Sequence, residues 1–231
     1  MNNNIKIAMC TWYAGTEYKK KMDIGIQSKI KYCKLHNIDF ILEDETADFF
    51  DNKRRYEWYK ILLLKKHINN YDYLFWSDAD VLIKNFDYSL INYINNSDKN
   101  NIFIFTHCPN FFINNGNFFV KNTPDTISIL DLIYNQTEFL EVDRMCEQGA
   151  TVHVLQNYPE IYKKTYIEKN PRLFNAYSIY NYSKISEQLY YKKNDFLIHY
   201  AGIDTENTHK CMLVDNKNDI LTRDLYKNYE R

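Results

Sequence analysis

Apolar and polar positions follow strand periodicity at the start of the chain, where Ile5, Ile7 and Met9 are separated by Lys6 and Ala8. Met22, Ile26, Ile30 and Cys33 then recur at helical spacing with lysines between them, which predicts an amphipathic helix. Asp39–Leu42 returns as a short strand. Arg55–Ile68 carries Trp58, Ile61, Leu62 and Lys65 at helical offsets and closes at Asn69-Asn70. Tyr71–Trp76 is a nearly continuous apolar run, the pattern of a strand covered on both faces. This strand–helix alternation predicts an α/β fold with a mostly parallel central sheet flanked by helices.

The second half is less regular. Asn101–Thr106 and Asn117–Lys121 read as strands around a loop containing Pro109 and Gly116. Thr123-Pro124 reads as a helix start, with Thr123 as N-cap and the proline at the first helical position. Helices are predicted over Asp143–Leu155 and Asn218–Tyr229, and a strand over Asp195–His199. No repeat, charge block or Pro/Gly/Ser-rich linker divides the sequence, so a single domain over residues 1–231 is expected.

Composition narrows the classes of function. Lys+Arg 29 against Asp+Glu 30 gives a net charge of −1, without the positive excess of a protein that lives on phosphate-backbone contacts. No stretch approaches the roughly 20 apolar residues of a membrane span, and the polar Met1–Asn4 start lacks a signal-peptide core. A cytoplasmic location is expected. The five cysteines are scattered without Cys-x-x-Cys spacing and read as reduced, mostly buried thiols. Aromatic content of 16% rises together with Asn, Lys and Ile, as AT-rich coding would give; it names no ligand, though it would support a homodimer face.

Phe75-Trp76-Ser77-Asp78-Ala79-Asp80-Val81 sets two carboxylates two residues apart, just past the apolar strand. At strand periodicity both project to one side, and ligands bind at the carboxyl edge of open α/β sheets. Such a pair suits a hard cation, Mg²⁺ or Mn²⁺, held through a few oxygens with positions left for substrate phosphates. A solvated, capped turn is the alternative on local grounds. A phosphohydrolase of the haloacid-dehalogenase type also carries Asp-x-Asp after a strand. There, however, it falls on the first strand and is followed by a tight Gly-Thr-like turn, whereas here strand–helix–strand–helix precedes and Val81 follows. A non-catalytic nucleotide-sugar-binding module is a further reading.

Further segments follow in order: Trp58-Tyr59-Lys60-Ile61, Trp76-Ser77-Asp78-Ala79-Asp80, Asn114-Asn115-Gly116-Asn117-Phe118-Phe119-Val120-Lys121-Asn122, Glu147-Gln148-Gly149-Ala150, Phe174-Asn175-Ala176-Tyr177 and Asp195-Phe196-Leu197-Ile198-His199-Tyr200-Ala201-Gly202. With these, nearly the whole chain resembles the retaining glycosyltransferase family of fungal α-galactosyl- and α-mannosyltransferases and plant xyloglucan α-xylosyltransferases. The resemblance implies the nucleotide-sugar-binding fold called GT-A and transfer of a hexose or pentose from a nucleotide diphosphate sugar, commonly UDP-linked, to a hydroxyl acceptor such as a glycan. It implies a nucleotide-binding half over about residues 1–107 and a sugar and acceptor half over about 108–231.

The resemblance also assigns residues. Asp78, Asp80 and His199 become ligands of Mn²⁺ or Mg²⁺, a chemistry in which one imidazole joins carboxylates. Gln148 lies beneath the anomeric carbon and Glu147 contacts the sugar. Thr11 and Tyr13 lie in the loop that holds base and ribose, where Trp12 or Tyr13 would stack. Lys60, Ser77, Asp78 and Ala79 face the donor. Asn114 and Gly116 form an Asn-x-Gly turn that presents an amide and bare backbone to the donor sugar, and Gly202 lets backbone approach it. Eukaryotic members carry an N-terminal membrane anchor; none is expected here, so the resemblance does not imply Golgi localisation. The family's basic residue after His-x-x-Gly is replaced by Ile203-Asp204, which leaves Lys210 as the candidate to neutralise the leaving diphosphate.

Overall fold

A computed structural model describes residues 5–140, 146–181 and 186–226 of the chain. Strand β1 (Ile7–Trp12), helix α1 (Thr16–His36) and strand β2 (Asp39–Glu43) come first. Helix α2 (Tyr59–His67), strands β3 (Tyr73–Ser77) and β4 (Val81–Ile83) and helix α3 (Leu90–Asn96) follow. Then come β5 (Phe103–Cys108), β6 (Phe112–Lys121), α4 (Thr126–Tyr134), α5 (Cys146–Asn157), α6 (Pro159–Tyr162) and β7 (Thr165–Glu168). The last elements are β8 (Ala176–Tyr177), β9 (Leu197–His199) and α7 (Thr205–Asp215).

The main sheet has the order β2-β1-β3-β6-β5-β7. Strand β1 runs parallel to β2 and β3, and β5 parallel to β7, whereas β6 lies antiparallel between β3 and β5. The sheet is therefore mixed, and β6 joins the two halves of the chain into one layer. The Tyr71–Trp76 run supplies β3, which is covered on both faces as its pattern requires. Leu74 and Trp76 enter a core cluster with α2, α4 and α5, while Tyr73 and Phe75 enter another with α1 and α3. A second sheet, β4-β9-β8, is small but decisive for the site.

Several elements differ from the sequence expectation, each for a physical reason. Gly116 lies inside β6 rather than in a loop, because Phe112–Lys121 pairs with both neighbours. Helix α4 starts at Thr126: Thr123 is spent in a turn whose carbonyl accepts the Thr126 N–H at 3.1 Å, so it does not cap the helix. Arg55–Ile68 begins with a 3₁₀ turn, Tyr56–Trp58, before α2. Of the helix predicted over Asp143–Leu155, residues 143–145 lie outside the described residues and Cys146–Asn157 is helical. Instead of a helix from Asn218, the chain forms α7, whose N-cap Asp204 accepts the Asn207 N–H at 3.0 Å, followed by a 3₁₀ turn at Arg223–Tyr226. Residues 227–229 of that prediction lie outside the described residues.

Helix α1 holds the most informative departure. It ends where Asn37 turns left-handed (φ 52°) and returns its N–H to the Cys33 carbonyl. Its buried face carries Met22, Ile26, Lys29 and Cys33, with Lys29 0% exposed and Ile30 displaced outward to 38%. Burial pulls the Lys29 ammonium down to about 7, against the opposing pull of Asp80 and Asp78. Elsewhere the residue types behave as read. All five cysteines are buried and free, and most aromatic side chains pack into the core clusters. Among the described residues no helix is long and apolar enough to cross a membrane.

Candidate active site

Asp78 and Asp80 occupy the turn between β3 and β4. Two pairings bring other residues to them. In the main sheet, Ser77 is opposite Asn117, and just beyond this pair the Asp78 N–H donates to the Gly116 carbonyl at 2.8 Å. In the small sheet, Val81 is opposite His199 and the Tyr200 N–H donates to the Asp80 carbonyl at 3.1 Å. Residues more than a hundred positions apart thus converge because β4 continues directly from the acidic turn and pairs with β9.

Asp78, Asp80 and His199 each offer a ligand atom, and these atoms all lie within 4.8 Å of one another. His199 Nε2 stands 3.6 Å from Asp80 Oδ1 and 3.9 Å from Asp78 Oδ2. The histidine is nearly buried, while the two carboxylates keep 29% and 21% of their side-chain surface open to incoming groups. His199 Nδ1 is 2.7 Å from Asn175 Oδ1. The same amide meets Asn117 Nδ2 on its Oδ1 at 3.2 Å and Thr106 Oγ1 on its Nδ2 at 2.8 Å. With Asn175 Oδ1 as acceptor, Nδ1 is the donor nitrogen and Nε2 is the one turned to the carboxylates. Burial raises the Asp80 carboxyl above its ordinary pKa, His199 opposing and the Asp78 charge adding to the rise. Two hard oxygen donors and an imidazole nitrogen, their ligand atoms within 4.8 Å of one another, fit a Mn²⁺- or Mg²⁺-type ion.

A second layer adjoins these groups. Lys60, 4% exposed at the start of α2, lies 3.2 Å from Asp78 Oδ1 and 2.9 Å from Glu147 Oε1, and donates to the Asn115 carbonyl at 3.2 Å. Burial alone would lower its pKa, but Asp78 and Glu147 overcome this and hold the ammonium above the ordinary lysine value. Glu147 is buried, not solvated. Burial pushes its carboxyl up against the pull of Lys60, and it also accepts from Asn115 Nδ2 at 3.2 Å. Gln148, half-buried in the first turn of α5, accepts the Asn115 N–H on Oε1 at 3.2 Å. Trp76 Nε1 donates to Asp78 Oδ1 at 2.7 Å, so Asp78 answers to both Trp76 and Lys60.

Lys60→Met tests how much this layer holds. It would strand Glu147, buried, beside Asp78 without a cation, and breaking a buried pair from one side costs about 3–5 kcal/mol. The partial exposure of Asp78 puts the expected loss at the lower end, about 3 kcal/mol by urea denaturation, with Glu147→Gln in the same chain restoring part of it. A loss below about 1 kcal/mol would show that water already screens the pair.

The remaining sequence candidates are placed less simply. Gly116 does not present backbone to open space: a Cβ built on it would lie 2.1 Å from His199 Cε1 and 2.7 Å from Nε2. The Asn114 amide is engaged internally, accepting the Gly116 N–H at 2.7 Å and donating to Tyr177 Oη at 2.8 Å. Tyr13 is packed in the core, its hydroxyl donating to Asp44 at 2.7 Å and its ring carrying Lys19 Nζ at 5.0 Å. Trp12 is likewise buried, stacked on Tyr59 at 5.4 Å. Neither ring is bared for stacking. Thr11 Oγ1 donates to the Ser77 carbonyl at 2.8 Å, and the Ser77 hydroxyl is buried without a hydrogen-bond partner. Ala79 is buried and contributes its carbonyl rather than its side chain. Gly202 is exposed at φ 72° beyond β9. Lys210 lies on α7, and its recorded ion pair is with Glu206 on the same helix at 3.9 Å. Sequence reading assigned no role to Asn175, Asn115 or Lys29. The first two lie within the quoted segments; Lys29 has no local mark among the lysines of α1.

A mixed central sheet flanked by helices, with an Asp-x-Asp turn at its carboxyl edge and a histidine brought in by a small second sheet, is the architecture of the GT-A fold. The chain belongs to the galactosyl transferase GMA12/MNN10 family, whose sequence model matches residues 3–104 and 91–210. No curated protein sequence matches it. Among solved structures, a glycosyltransferase involved in glycosylation of the major capsid of PBCV-1 is similar over 90% of this chain and 98% of its own, with TM-score 0.71 and 18% identity. The galactosyltransferase LgtC, solved with donor and acceptor sugar analogs, is similar over 96% and 99%, with TM-score 0.57 and 11% identity. Mouse xyloside xylosyltransferase 1 is similar over 86% and 98%, with TM-score 0.52 and 10% identity. At these identities the likeness bears on the fold.

Proposed function

We propose that the protein transfers a hexose or pentose, with retention of anomeric configuration, from a nucleoside diphosphate sugar to a hydroxyl acceptor such as a glycan. A divalent cation held by Asp78, Asp80 and His199 takes part in this reading. The observation that carries it is the convergence of those three ligand atoms within 4.8 Å. When bound, such a cation supplies Lewis-acid stabilisation of the charge that develops on the departing diphosphate.

The chain's own residues have distinct tasks. Asn175 holds the His199 tautomer. Lys60, anchored by Asp78 and Glu147, brings positive charge to the edge of the donor site. Gln148, oriented by the Asn115 N–H, stands on the wall where the sugar ring would lie. Glu147 is poorly suited as a covalent nucleophile, being buried and already bonded to Lys60 and Asn115. Retention then requires the acceptor hydroxyl to attack on the face that the diphosphate leaves, with a phosphate oxygen accepting its proton. UDP is the favoured nucleotide through the family resemblance. The acceptor site is read as depending on loops such as Cys108–Ile113, where Phe111 is exposed.

The direct test is incubation with a panel of nucleotide sugars and Mn²⁺, scored by release of nucleoside diphosphate. At least one donor should be consumed, and chelation should stop the release. Donor binding without turnover would mean a binding module, and phosphate released from simple phosphomonoesters would mean a hydrolase; either result overturns the reading. The coupling constant of the anomeric proton in an isolated product tests retention separately.

A further inference from the structure

Strand β4 pairs with β9 along one edge and, among the described residues, has no strand along the other. Helix α1 fills that second edge with three residues from one turn. Gly25 lies so close that a Cβ would sit 2.5 Å from the Val81 carbonyl oxygen and 3.0 Å from that of Ala79. Ser28 Oγ accepts the Ile83 N–H at 3.0 Å and donates to the Gly25 carbonyl at 2.7 Å. Lys29 Nζ donates to the Val81 carbonyl at 2.8 Å and to that of Ala79 at 3.4 Å. These two carbonyls flank Asp80, whose own carbonyl points the other way and is held by the Tyr200 N–H. The Asp80 peptide is thus gripped from both sides, by a side chain of α1 and by the backbone next to His199.

A fully buried lysine is rare unless it is paired, and Lys29 commits its ammonium to these two carbonyls. Residues that aim a metal ligand without touching the metal commonly govern its affinity. We propose that Lys29 is a positioning residue for the Asp78–Asp80–His199 cation site, and that its grip on the Ala79 and Val81 carbonyls sets the aim of the Asp80 carboxylate. This rests on the cation reading proposed above. A plain core-filling role would instead leave the cation affinity of the folded site indifferent to an apolar side chain of similar length, whatever the change in stability.

Lys29→Met separates the two. Mn²⁺ affinity is read from free Mn²⁺ by electron paramagnetic resonance on the full chain, beside the melting temperature. The expected result is Mn²⁺ affinity weakened about tenfold to a hundredfold at a temperature where the variant is fully folded, beside a lower melting temperature because two buried carbonyls lose their donor. Unchanged Mn²⁺ affinity in a folded Lys29→Met protein would overturn the inference, and so would a loss of affinity that merely tracks a loss of fold. An independent readout needs no variant: in wild-type protein labelled with ¹⁵N-lysine, the Lys29 side-chain nitrogen, assigned through its own bonds, should shift on titration with diamagnetic Mg²⁺. A Lys29 resonance that stays still at saturating Mg²⁺ would also overturn it. If the wild type binds neither Mn²⁺ nor Mg²⁺, the cation reading itself falls. If it binds and only the Lys29 effects are missing, this inference alone falls.

Discussion

Alanine at position 199 should weaken Mn²⁺ binding roughly hundredfold or more and reduce metal-dependent release of nucleoside diphosphate in proportion. The basis is the number of ligands: His199 supplies one of the three protein atoms that lie within 4.8 Å of one another, and it is the one nitrogen donor among them. Losing a residue that merely orients a metal ligand already costs about tenfold to a hundredfold in affinity, so losing the ligand itself should exceed that range. Asp80→Asn should match it, because the substitution removes charge while keeping shape. Asn175→Ala should fall in the lower range: the imidazole remains, but nothing then fixes its hydrogen on Nδ1. Mn²⁺ titrations followed by both binding and donor hydrolysis check the series. A His199→Ala protein with wild-type Mn²⁺ affinity would remove the histidine from the site and with it the proposed ligand set.

Gly116→Ala should have an effect nearly as large, and for a reason that separates two meanings of that glycine. A Cβ at this position would stand 2.1 Å from His199 Cε1. Neither side can retreat easily. The Gly116 carbonyl is bonded to the Asp78 N–H and its N–H to Asn114 Oδ1, while His199 is buried, tied to Asn175 and held in β9 opposite Val81. The ring must therefore move by about an ångström, a displacement that can cost roughly hundredfold in rate. Overpacking of this kind also costs about 1–3 kcal/mol of stability. Loss of Mn²⁺ affinity with a moderate fall in melting temperature is the expected pattern. If Gly116 instead served to bring bare backbone to the donor sugar, the alanine would raise the donor KM and leave Mn²⁺ affinity alone. Measuring both constants on one preparation decides between them.

The two cases mark what could be read from the residues alone. The apolar run Tyr71–Trp76, the acidic pair after it, and the ordered segments around Lys60, Asn114, Gln148 and His199 led to the family and the fold. Each is local: periodicity marks an element, and a motif names its residues without needing their positions in space. Even the correct segments carried incomplete meanings. Gly116 reads as a turn glycine from Asn-x-Gly, yet it lies in β6 and makes room for a ring 83 positions away. Asn114 reads as an amide for the sugar, yet both of its ends are bonded within the protein. Lys210 was the candidate for a missing basic residue, and the structure gives it an ion pair with Glu206 of its own helix.

Helix α1 shows why the rest was out of reach. Hydrophobic spacing chose Ile30 for the inner face, but the helix is rotated so that Lys29 faces inward and Ile30 outward. Nothing in a run of alternating lysines and apolar residues sets that rotation. It depends on which surface the helix meets, and here the surface is the free edge of β4 with its unpaired carbonyls, which need a donor. The sequence by itself determined the strand–helix alternation up to Trp76, which residue types were available for a cation and a donor, and the family they belong to. The tertiary structure alone decided that His199 stands beside Asp80, that Gly116 must lack a side chain, and that a buried lysine grips the acidic turn. These are pairings between strands and helices distant in the chain, settled by hydrogen-bond satisfaction and close packing.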